Sequence, residues 1–250
     1  MRNKYENPLC NRYASARMQE IFSPDMKFST WRKLWVALAE SEKELGLDIT
    51  DNQIAQMKEH IYDINYDVAA EREKAVRHDV LAHIYAYGRQ CSDARPIIHL
   101  GATSCYVGDN TDLIVMRAAL KQIRALLVGV IMELCDFADK YKELPTLAYT
   151  HFQAAQPTTL GKRATLWLQD LVRDVNLLDF TAGQIKFLGC RGATGTAASF
   201  LELFEGDSEK VMELEKLIAE KMDFDEIYDV SGQTYSRKID YYVLSLLSSI

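Results

Sequence analysis

The sequence predicts an all-α protein. Three observations support this prediction: apolar residues recur at steps of three and four along most of the 250 residues, the later repeats run much longer than the earlier ones, and polar segments separate them. The predicted organisation is a small N-terminal helical domain over residues 1–98, followed over residues 99–250 by the start of a long-helix bundle. Helices this long exceed what a compact monomer needs, so we expect their apolar stripes to be buried against other subunits.

Composition limits the function classes. With 48% apolar and 26% charged residues, the chain has ample material for a core and is not disordered. A net charge of −7 argues against a broad nucleic-acid surface, which needs a surplus of Lys and Arg. Because no apolar run is long enough to span a membrane and the start MRNKYENPLC lacks a signal-peptide core, we expect a cytoplasmic protein. The five cysteines are scattered, which predicts neither a disulfide framework nor a metal site.

The predicted N-terminal domain contains three stretches of helical pattern. Residues 29–45 place their apolar side chains on one face, and Gly46 stands where a helix stop belongs. Thr50 and Gln53 fit a capping box that begins a second helix. Residues 65–88 predict one or two further helices, interrupted near residues 77–79.

The second part of the chain predicts longer helices. Residues 110–144 predict a helix on the order of 50 Å long, with Asp109 or Asn110 as its cap. Pro157 is the predicted first residue of the next helix, which runs to about residue 188. A shorter helix is predicted over residues 208–222, and a last one from near Gln233 to Ile250. This last apolar stripe stops without a cap, so we expect the chain to be part of a longer one.

Four polar segments interrupt the helical pattern, at residues 77–79, 101–110, 150–153 and 231–238. Each lies at or near a predicted helix end, and helix N-termini offer free N–H groups and partial positive charge. Gly101 permits unusual backbone angles, while Thr103 and Ser104 offer hydroxyl groups. Residues 101–104 are therefore expected to hold a carboxylate.

Taken singly, each polar feature also has a simpler explanation. Helix capping alone accounts for Asp109 and Asn110. His151 fits a loop histidine satisfied by backbone groups, and His78, between Arg77 and Asp79, fits a surface charge cluster. The remaining histidines lack supporting context and are expected to be structural; these are His60, His83 and His99.

Taken together and in order, the motifs resemble those of a known enzyme group. Residues 101–110, 150–159 and 232–238, with residues 12–15 and 77–80, resemble the fumarase/aspartase superfamily and, within it, the adenylosuccinate lyases of the animal type. The resemblance covers essentially the whole chain. It implies an all-α homotetramer with active sites shared between subunits and no metal or organic cofactor. It also implies a succinylated purine nucleotide as substrate, from which fumarate is eliminated. Neither a nucleic acid nor a membrane is expected as a partner, as charge and apolar run length already indicated.

The resemblance assigns the chemistry to particular residues. Such an elimination needs a base for a C–H proton, an acid for the departing nitrogen, and donors for a developing aci-carboxylate. His151 matches the general acid, a role that suits histidine near neutrality. His78 matches a second site histidine that orients substrate and acid, with Arg77 and Asp79 beside it.

The substrate-binding residues follow from the same resemblance. Thr103 and Ser104 match the hydroxyls that hold the succinyl carboxylates, and Thr150 and Gln233 match substrate contacts. A further match is the phosphate-binding pair Arg12 and Tyr13, in which a guanidinium fork suits a phosphate. The family's general base is a serine on a Gly-Ser-Ser-rich loop that follows this stretch. A chain ending at Ile250 is therefore expected to be inactive.

Three alternatives remain at this point. A sister lyase, cleaving argininosuccinate or hydrating fumarate, shares the fold and the carboxylate-binding hydroxyls. The purine enzyme is favoured by the pair Arg12 and Tyr13, by residues 77–79 and by residues 233–238. A catalytically silent scaffold on the same fold is opposed by the presence of His78, His151, Thr103 and Ser104, and it is favoured by the absence of the serine loop from this stretch. A helical nucleotide-binding module would bind AMP and leave adenylosuccinate uncleaved.

Overall fold

The computed structural model describes residues 7–250. Over this range it contains ten α-helices, a short π-helical turn at Leu9–Tyr13 and one antiparallel hairpin. The elements are α1 Ala16–Ile21, α2 Pro24–Glu44, α3 Asp51–Glu59, α4 Tyr66–Val76, α5 Asp79–Gln90, α6 Ser104–Lys140, β1 Pro145–Thr150, β2 Gln153–Thr159, α7 Leu160–Gly183, α8 Ala198–Leu203, α9 Ser208–Lys221 and α10 Lys238–Ser249. The predicted all-α class is confirmed, with the hairpin as an addition.

The chain divides into two compact units, each built from two segments. Unit 1 comprises the described residues up to Met116 together with Lys186–Ser236, and unit 2 comprises Arg117–Ile185 with Arg237–Ile250. Helix α6 contributes its first part to unit 1 and the remainder to unit 2. These units group the chain by contact, and the predicted domain boundary after residue 98 stays a prediction.

Helix α2 provides the centre of the unit 1 core. Trp31, Leu34, Trp35 and Leu38 are each at most 1% exposed, as their spacing of three and four residues on one face predicts. Helices α3 and α9 pack against α2. Ser23 caps the helix by accepting the Met26 N–H, so α2 begins five residues before the predicted start at residue 29.

Local signals correctly predicted several helix ends. The Thr50–Gln53 capping box is present at the start of α3, with both reciprocal hydrogen bonds formed. Gly46 takes a positive φ of 102° just after α2, as expected of a helix stop. The break near residues 77–79 is also confirmed, since Arg77 takes a left-handed conformation and His78 caps α5. Helix α9 lies within one residue of its predicted range.

The start of the longest helix was predicted wrongly. Helix α6 begins at Ser104 and runs for 37 residues, about 55 Å, so Asp109 and Asn110 lie inside it and do not cap it. Asn110 is fully buried and its amide serves another purpose. Its Nδ2 donates to the carbonyls of Tyr106 and Gly189 at 2.8 and 3.2 Å, and its Oδ1 accepts the Leu188 N–H at 2.8 Å. This one amide therefore joins α6 to the segment over residues 188–191.

The helix predicted to begin at Pro157 is replaced by a strand. Pro157 lies in β2, paired with Leu147 of β1, and helix α7 begins only at Leu160 with Thr159 as its cap. The hairpin register shifts by one residue between Leu147 and Tyr149. Because both strands are edges, the missing N–H of Pro157 breaks no ladder in a larger sheet.

Unit 2 combines the hairpin with three helical segments. Helices α7 and α10 pack together, and α7 continues directly from β2. The Arg124 guanidinium donates to both oxygens of Asp179 at 2.7 and 3.1 Å, which joins α6 to α7 within this unit. Helix α10 begins at Lys238 and not near Gln233 as predicted, because residues 231–237 form an irregular segment. Over residues 7–250, no helix is both long and apolar enough to cross a membrane.

Glu42 is a buried acid on α2. It is fully buried, and neither carboxyl oxygen has a hydrogen-bond partner among the described residues. Burial raises the pKa of Glu42 to about 9. An isolated buried carboxylate is costly, so the group is held in its neutral form at neutral pH.

We predict that Glu42→Gln removes a pH dependence of stability. The raised pKa means that the folded chain binds more protons than the unfolded chain between pH 4.5 and about 9, so wild-type stability falls as pH rises through that window. From pH 4 to pH 7 the free energy of unfolding of the wild type should fall by about 3 kcal/mol relative to that of the variant. Urea unfolding at several pH values measures this difference. Glu71→Gln, which removes an exposed carboxylate from α4, is the control; parallel curves for all three proteins would contradict the prediction.

We predict that Asn110→Ala destabilises unit 1. The change leaves the Leu188 N–H and the Gly189 carbonyl without their buried partner, and each such group costs about 1–3 kcal/mol. A loss of about 3 kcal/mol in the free energy of unfolding is expected. The control is Asn52→Ala, which removes an exposed amide that donates to Asp93. It should change the free energy of unfolding by less than about 0.5 kcal/mol. Equal effects of the two variants would show that Asn110 does not tie these segments together.

Candidate active site

The predicted site residues fall into both units. Unit 1 carries Arg12, Tyr13, Arg77, His78, Asp79, Thr103, Ser104 and Gln233. Unit 2 carries Thr150 and His151. Within unit 1, the structure brings together His78, Asp79 and Ser104, and it places Thr103 beside Ser104 at the start of α6.

His78 occupies the N-cap position of α5. Its Nδ1 accepts the Leu81 N–H at 3.3 Å, and its Nε2 lies 3.3 Å from the Ser104 Oγ. A backbone N–H donates only to an unprotonated ring nitrogen, so the neutral ring carries its proton on Nε2 and donates it to Ser104. The Ser104 hydroxyl proton then remains available to an anion.

Thr103 is used differently from Ser104. Its hydroxyl donates to the backbone carbonyl of Arg191 at 2.9 Å. A hydroxyl has one proton to donate, so Thr103 in this arrangement fixes the chain and only Ser104 offers a donor. The two neighbouring hydroxyls, expected to act alike, therefore have distinct functions in the structure.

Two helix N-termini meet at the His78–Ser104 contact. His78 caps α5, and Ser104 is the first residue of α6. The first backbone N–H groups of a helix have no partner within it, and the aligned peptide dipoles place partial positive charge there. The Val80 and Leu81 N–H groups of α5 already donate to Asp79 and His78, so α5 contributes mainly the positive end of its dipole. Together with the start of α6 and a donating hydroxyl, this point suits a carboxylate.

Ser104 also lines an acidic groove. It has a volume of about 220 Å³, and the charged groups along it are Lys27, Asp79, Asp109 and Asp112. Three carboxylates against one ammonium repel an anionic ligand. Asp79 itself accepts the Val80 N–H at 2.8 Å, and its Oδ1 lies 3.8 Å from the His78 Nδ1. The hydroxyl of Ser104 therefore lies between the positive ends of two helix dipoles and the carboxylates of this groove.

A tight turn over residues 99–102 leads into the Thr103–Ser104 pair. The Ala102 N–H donates to the His99 carbonyl at 3.2 Å, and both His99 and Gly101 have positive φ, at 69° and 66°. A Cβ on Gly101 would lie 2.7–2.8 Å from Leu203 and Phe200, so only glycine fits. His99 was expected to be structural, and the structure agrees, since its ring is buried and accepts the Trp35 N–H while its carbonyl closes this turn.

Residues 188–196 form a second support that sequence reasoning missed. The Arg191 carbonyl accepts the Thr103 hydroxyl, and the Arg191 guanidinium lies 3.3 Å from Glu215 in a mostly buried ion pair. Burial raises the pKa of Glu215, although Arg191 and the Cys190 N–H oppose part of that rise. The glycines of the run GCRGATG were the available sequence signal.

The same segment supports the Gln233 loop. Gly195 has a φ of 79°, and the backbone of Ser231 and Gly232 packs directly on its Cα, where any side chain would collide. Gln233 follows immediately and is exposed. Residues 188–196 therefore connect the Thr103 end of the site with the loop that carries Gln233.

His151 lies at the tip of the hairpin in unit 2. His151 and Phe152 are the two central residues between the paired Thr150 and Gln153, and both have positive φ, at 49° and 59°. This is the type I′ geometry, which usually takes Asn or Gly because a side chain is strained there. His151 is exposed, and Phe152 is fully exposed. Backbone strain of this kind is common at functional positions.

Arg12 and Tyr13 lie at the end of the π-helical turn and are exposed. The Arg12 guanidinium lies 5.9 Å from the centre of the Tyr13 ring, within the range of a cation–π contact. Their contact with each other leaves the guanidinium fork accessible. The structure does not place this pair against His78 or Ser104, so their predicted phosphate role stays a prediction.

Comparison with known proteins identifies relatives over nearly the whole chain. Adenylosuccinate lyase of Schizosaccharomyces pombe is 52% identical over 248 residues, and that of Saccharomyces cerevisiae is 51% identical over 250. The Schistosoma mansoni enzyme of the same name is 47% identical. In each case 98–99% of this chain is matched to 52% of the relative, so the chain spans about half the length of these proteins.

Solved structures support the fold. A fumarate lyase from Mesorhizobium sp. BNC1 superposes with a TM-score of 0.80 at 21% identity, over 94% of this chain and 54% of that one. A 3-carboxy-cis,cis-muconate lactonizing enzyme from Pseudomonas putida gives 0.82 at 23% identity, over 97% and 55%. The family model described as "Lyase" matches residues 14–226. The chain belongs to this lyase family, as the motif resemblance predicted.

Proposed function

We propose that the protein carrying this chain is an adenylosuccinate lyase, a carbon–nitrogen lyase that eliminates fumarate from adenylosuccinate to give AMP. The corresponding succinyl-aminoimidazole carboxamide ribotide of purine synthesis is the second proposed substrate. Three relatives with 47–52% identity that bear this enzyme name support the proposal. The observation that carries it is the contact between His78 and Ser104 where two helix N-termini meet.

The reaction defines what this contact must do. A base removes a proton from the succinyl carbon next to a carboxylate, the electron pair of that C–H bond forms the C=C bond of fumarate, and the C–N bond breaks. The adjacent carboxylate gains negative charge before the nitrogen leaves. Preorganised donors that meet this developing charge lower the barrier, and the Ser104 hydroxyl with the N-termini of α5 and α6 supplies them.

His151 is the proposed acid for the departing nitrogen. Histidine exchanges a proton near neutral pH, and the exposed hairpin tip leaves its ring accessible to a ligand. His78 is the proposed orienting group, because its Nε2–H fixes the direction of the Ser104 hydroxyl. The base that takes the C–H proton is not assigned to any of residues 7–250.

The remaining predicted residues complete the substrate site in this proposal. Arg12 and Tyr13 bind the nucleotide phosphate, and the polar side chains of Thr150 and Gln233 contact the substrate. Arg77 and Asp79 flank His78 at the end of α4 and the start of α5, where they bias its position. Thr103 takes a supporting part, since its hydroxyl is already bonded to the Arg191 carbonyl.

A homotetramer with shared active sites is part of the same proposal. The helices of unit 2 expose many large apolar side chains, including Leu126, Val130 and Met132 on α6, Leu166, Trp167 and Phe180 on α7, and Tyr241, Leu244 and Leu247 on α10. Apolar surface on this scale is typical of subunit interfaces. A cytoplasmic location is proposed too, because a charged nucleotide does not cross a lipid bilayer unaided.

We predict that His151→Ala lowers kcat for adenylosuccinate at least about 10³-fold, since general acid catalysis contributes roughly 10²–10⁴. The absorbance change on cleavage of adenylosuccinate measures the rate, and circular dichroism checks the fold. His60→Ala is the matched control, because the His60 ring bonds Asp63 outside the site and its loss should leave the rate within about twofold. A His151→Ala rate near that of the wild type would remove the acid assignment. Cleavage of argininosuccinate in place of adenylosuccinate would favour a sister lyase.

We predict that Ser104→Ala weakens product inhibition by fumarate by at least about tenfold, because a hydrogen bond to a charged group contributes about 1.5–3 kcal/mol. The inhibition constant of fumarate in the adenylosuccinate assay measures the change. Ser92→Ala, which removes an exposed hydroxyl near Asp93, should leave the constant unchanged. If Ser104→Ala bound fumarate as tightly as the wild type, the carboxylate would lie elsewhere.

A further inference from the structure

Trp35 and His99 form a side-chain pair beside the candidate site. The Trp35 Nε1–H donates to the His99 Nδ1 at 2.9 Å, and the two rings meet edge to face with centroids 6.0 Å apart. Trp35 is 1% exposed in the core of unit 1, where it also stacks on Tyr87. The indole is therefore fixed by packing and presents its N–H in one direction.

This hydrogen bond selects one form of the His99 ring. An indole nitrogen is only a donor, so the His99 Nδ1 must be unprotonated and the neutral ring must carry its proton on Nε2. Protonation of Nδ1 would break the bond and leave the buried Trp35 N–H without a partner. The pair therefore disfavours both the other neutral tautomer and the cation.

His99 connects this pair to the tight turn over residues 99–102, which leads into Ser104. It has a φ of 69°, and its carbonyl accepts the Ala102 N–H across residues 99–102. Residues in the left-handed region keep that conformation only when their surroundings hold them. The His99 ring is held by Trp35, and the far end of the turn is held by Thr103 through the Arg191 carbonyl. Ser104, the donor of the candidate site, follows directly.

We propose that Trp35 is a positioning residue of the active site: through its hydrogen bond it keeps His99 neutral in the Nε2–H form and holds the turn that presents Ser104 to His78. This inference rests on the proposed function for its catalytic consequence. Its structural part, the fixed tautomer, stands independently of that function.

The charges around His99 agree with this role. Burial lowers the pKa of His99 to about 4, and the positive charge of His78 adds to that effect. His78, the N-cap residue of α5, is the titratable group that acts on His99 among the described residues, and Trp35, on α2, is neutral. Because like charges repel, two neutral rings are the compatible pair at this point, which agrees with the unprotonated Nδ1 atoms of His78 and His99.

The first test is ¹⁵N NMR of the histidine rings in the protein that carries this chain. Protonated and unprotonated ring nitrogens give separate signals, and a His99→Gln variant assigns those of His99. In the wild type, we expect a single tautomer with the proton on Nε2 at neutral pH. Exchange between tautomers, or a proton on Nδ1, would overturn the proposal. This test uses the wild-type protein and needs no substitution at Trp35.

The second test compares Trp35→Phe with Trp31→Phe. Both replace a buried indole on the same helix by a smaller ring, but the Trp31 Nε1 has no hydrogen-bond partner among the described residues. Trp35→Phe should allow both His99 tautomers and raise the pH of its protonation by about one unit, whereas Trp31→Phe should preserve the single tautomer. Identical His99 signals in Trp35→Phe and the wild type would overturn the proposal.

The catalytic part is tested by steady-state kinetics with adenylosuccinate. Trp35→Phe should lower kcat about fivefold to tenfold with KM within about twofold, because the hydrogen bond holds the donor that meets the developing charge. A fixed tautomer in a wild-type protein that releases no fumarate would overturn the proposed function and leave the pairing intact. Fumarate release with a freely exchanging His99 would overturn the pairing alone. An unchanged kcat in Trp35→Phe would overturn the positioning role.

Discussion

The candidate site depends on one buried amide. Asn110 lies inside α6 with no exposed surface. Two of its three hydrogen bonds hold residues 188–189 against the first turns of that helix, and the third goes to the Tyr106 carbonyl within the helix. A buried polar group is stable only when its partners are present, so this arrangement specifies a single register between the two segments. The next residues of the segment then meet fixed partners: the Cys190 N–H donates to Glu215, and the Arg191 carbonyl accepts the Thr103 hydroxyl.

The position of Ser104 follows from this constraint. The turn at residues 99–102 is bounded by Trp35 at its start and by Thr103 at its end, so the first residue of α6 has little freedom. His78 reaches the same point from α5, with its ring direction set by the Leu81 N–H. Packing and hydrogen bonds in the core of unit 1 thus align a hydroxyl and two helix ends before any ligand binds. Such preorganisation is the main physical source of catalysis for a reaction that develops charge on a carboxylate.

The sequence predicted those features that local chemistry determines. Apolar periodicity located the main helices, and Thr50, Gly46 and residues 77–79 located helix ends because capping acts over three or four residues. The role of Asn110 was missed because its partners lie 78 and 79 residues along the chain, and a buried asparagine inside a helix looks like a cap from its neighbours alone. The hairpin was missed because its turn is His-Phe, which lacks the Asn-Gly signal of a type I′ turn, and because Pro157 suggested a helix start.

The hairpin tip shows why His151 could be recognised as a motif residue without its structural setting being predicted. A two-residue turn is the shortest link between paired strands, so it confines the His151 backbone, and the left-handed conformation at His151 and Phe152 adds strain of about 1 kcal/mol or more at each. A longer loop would relieve the strain, but it would also give the His151 imidazole more conformational freedom. The fully exposed Phe152 beside it adds an unfavourable apolar surface. In the proposed assembly, a surface that covers Phe152 would contribute about 2–3 kcal/mol and exclude water around His151, which would offset both the exposure and the backbone strain at this tip.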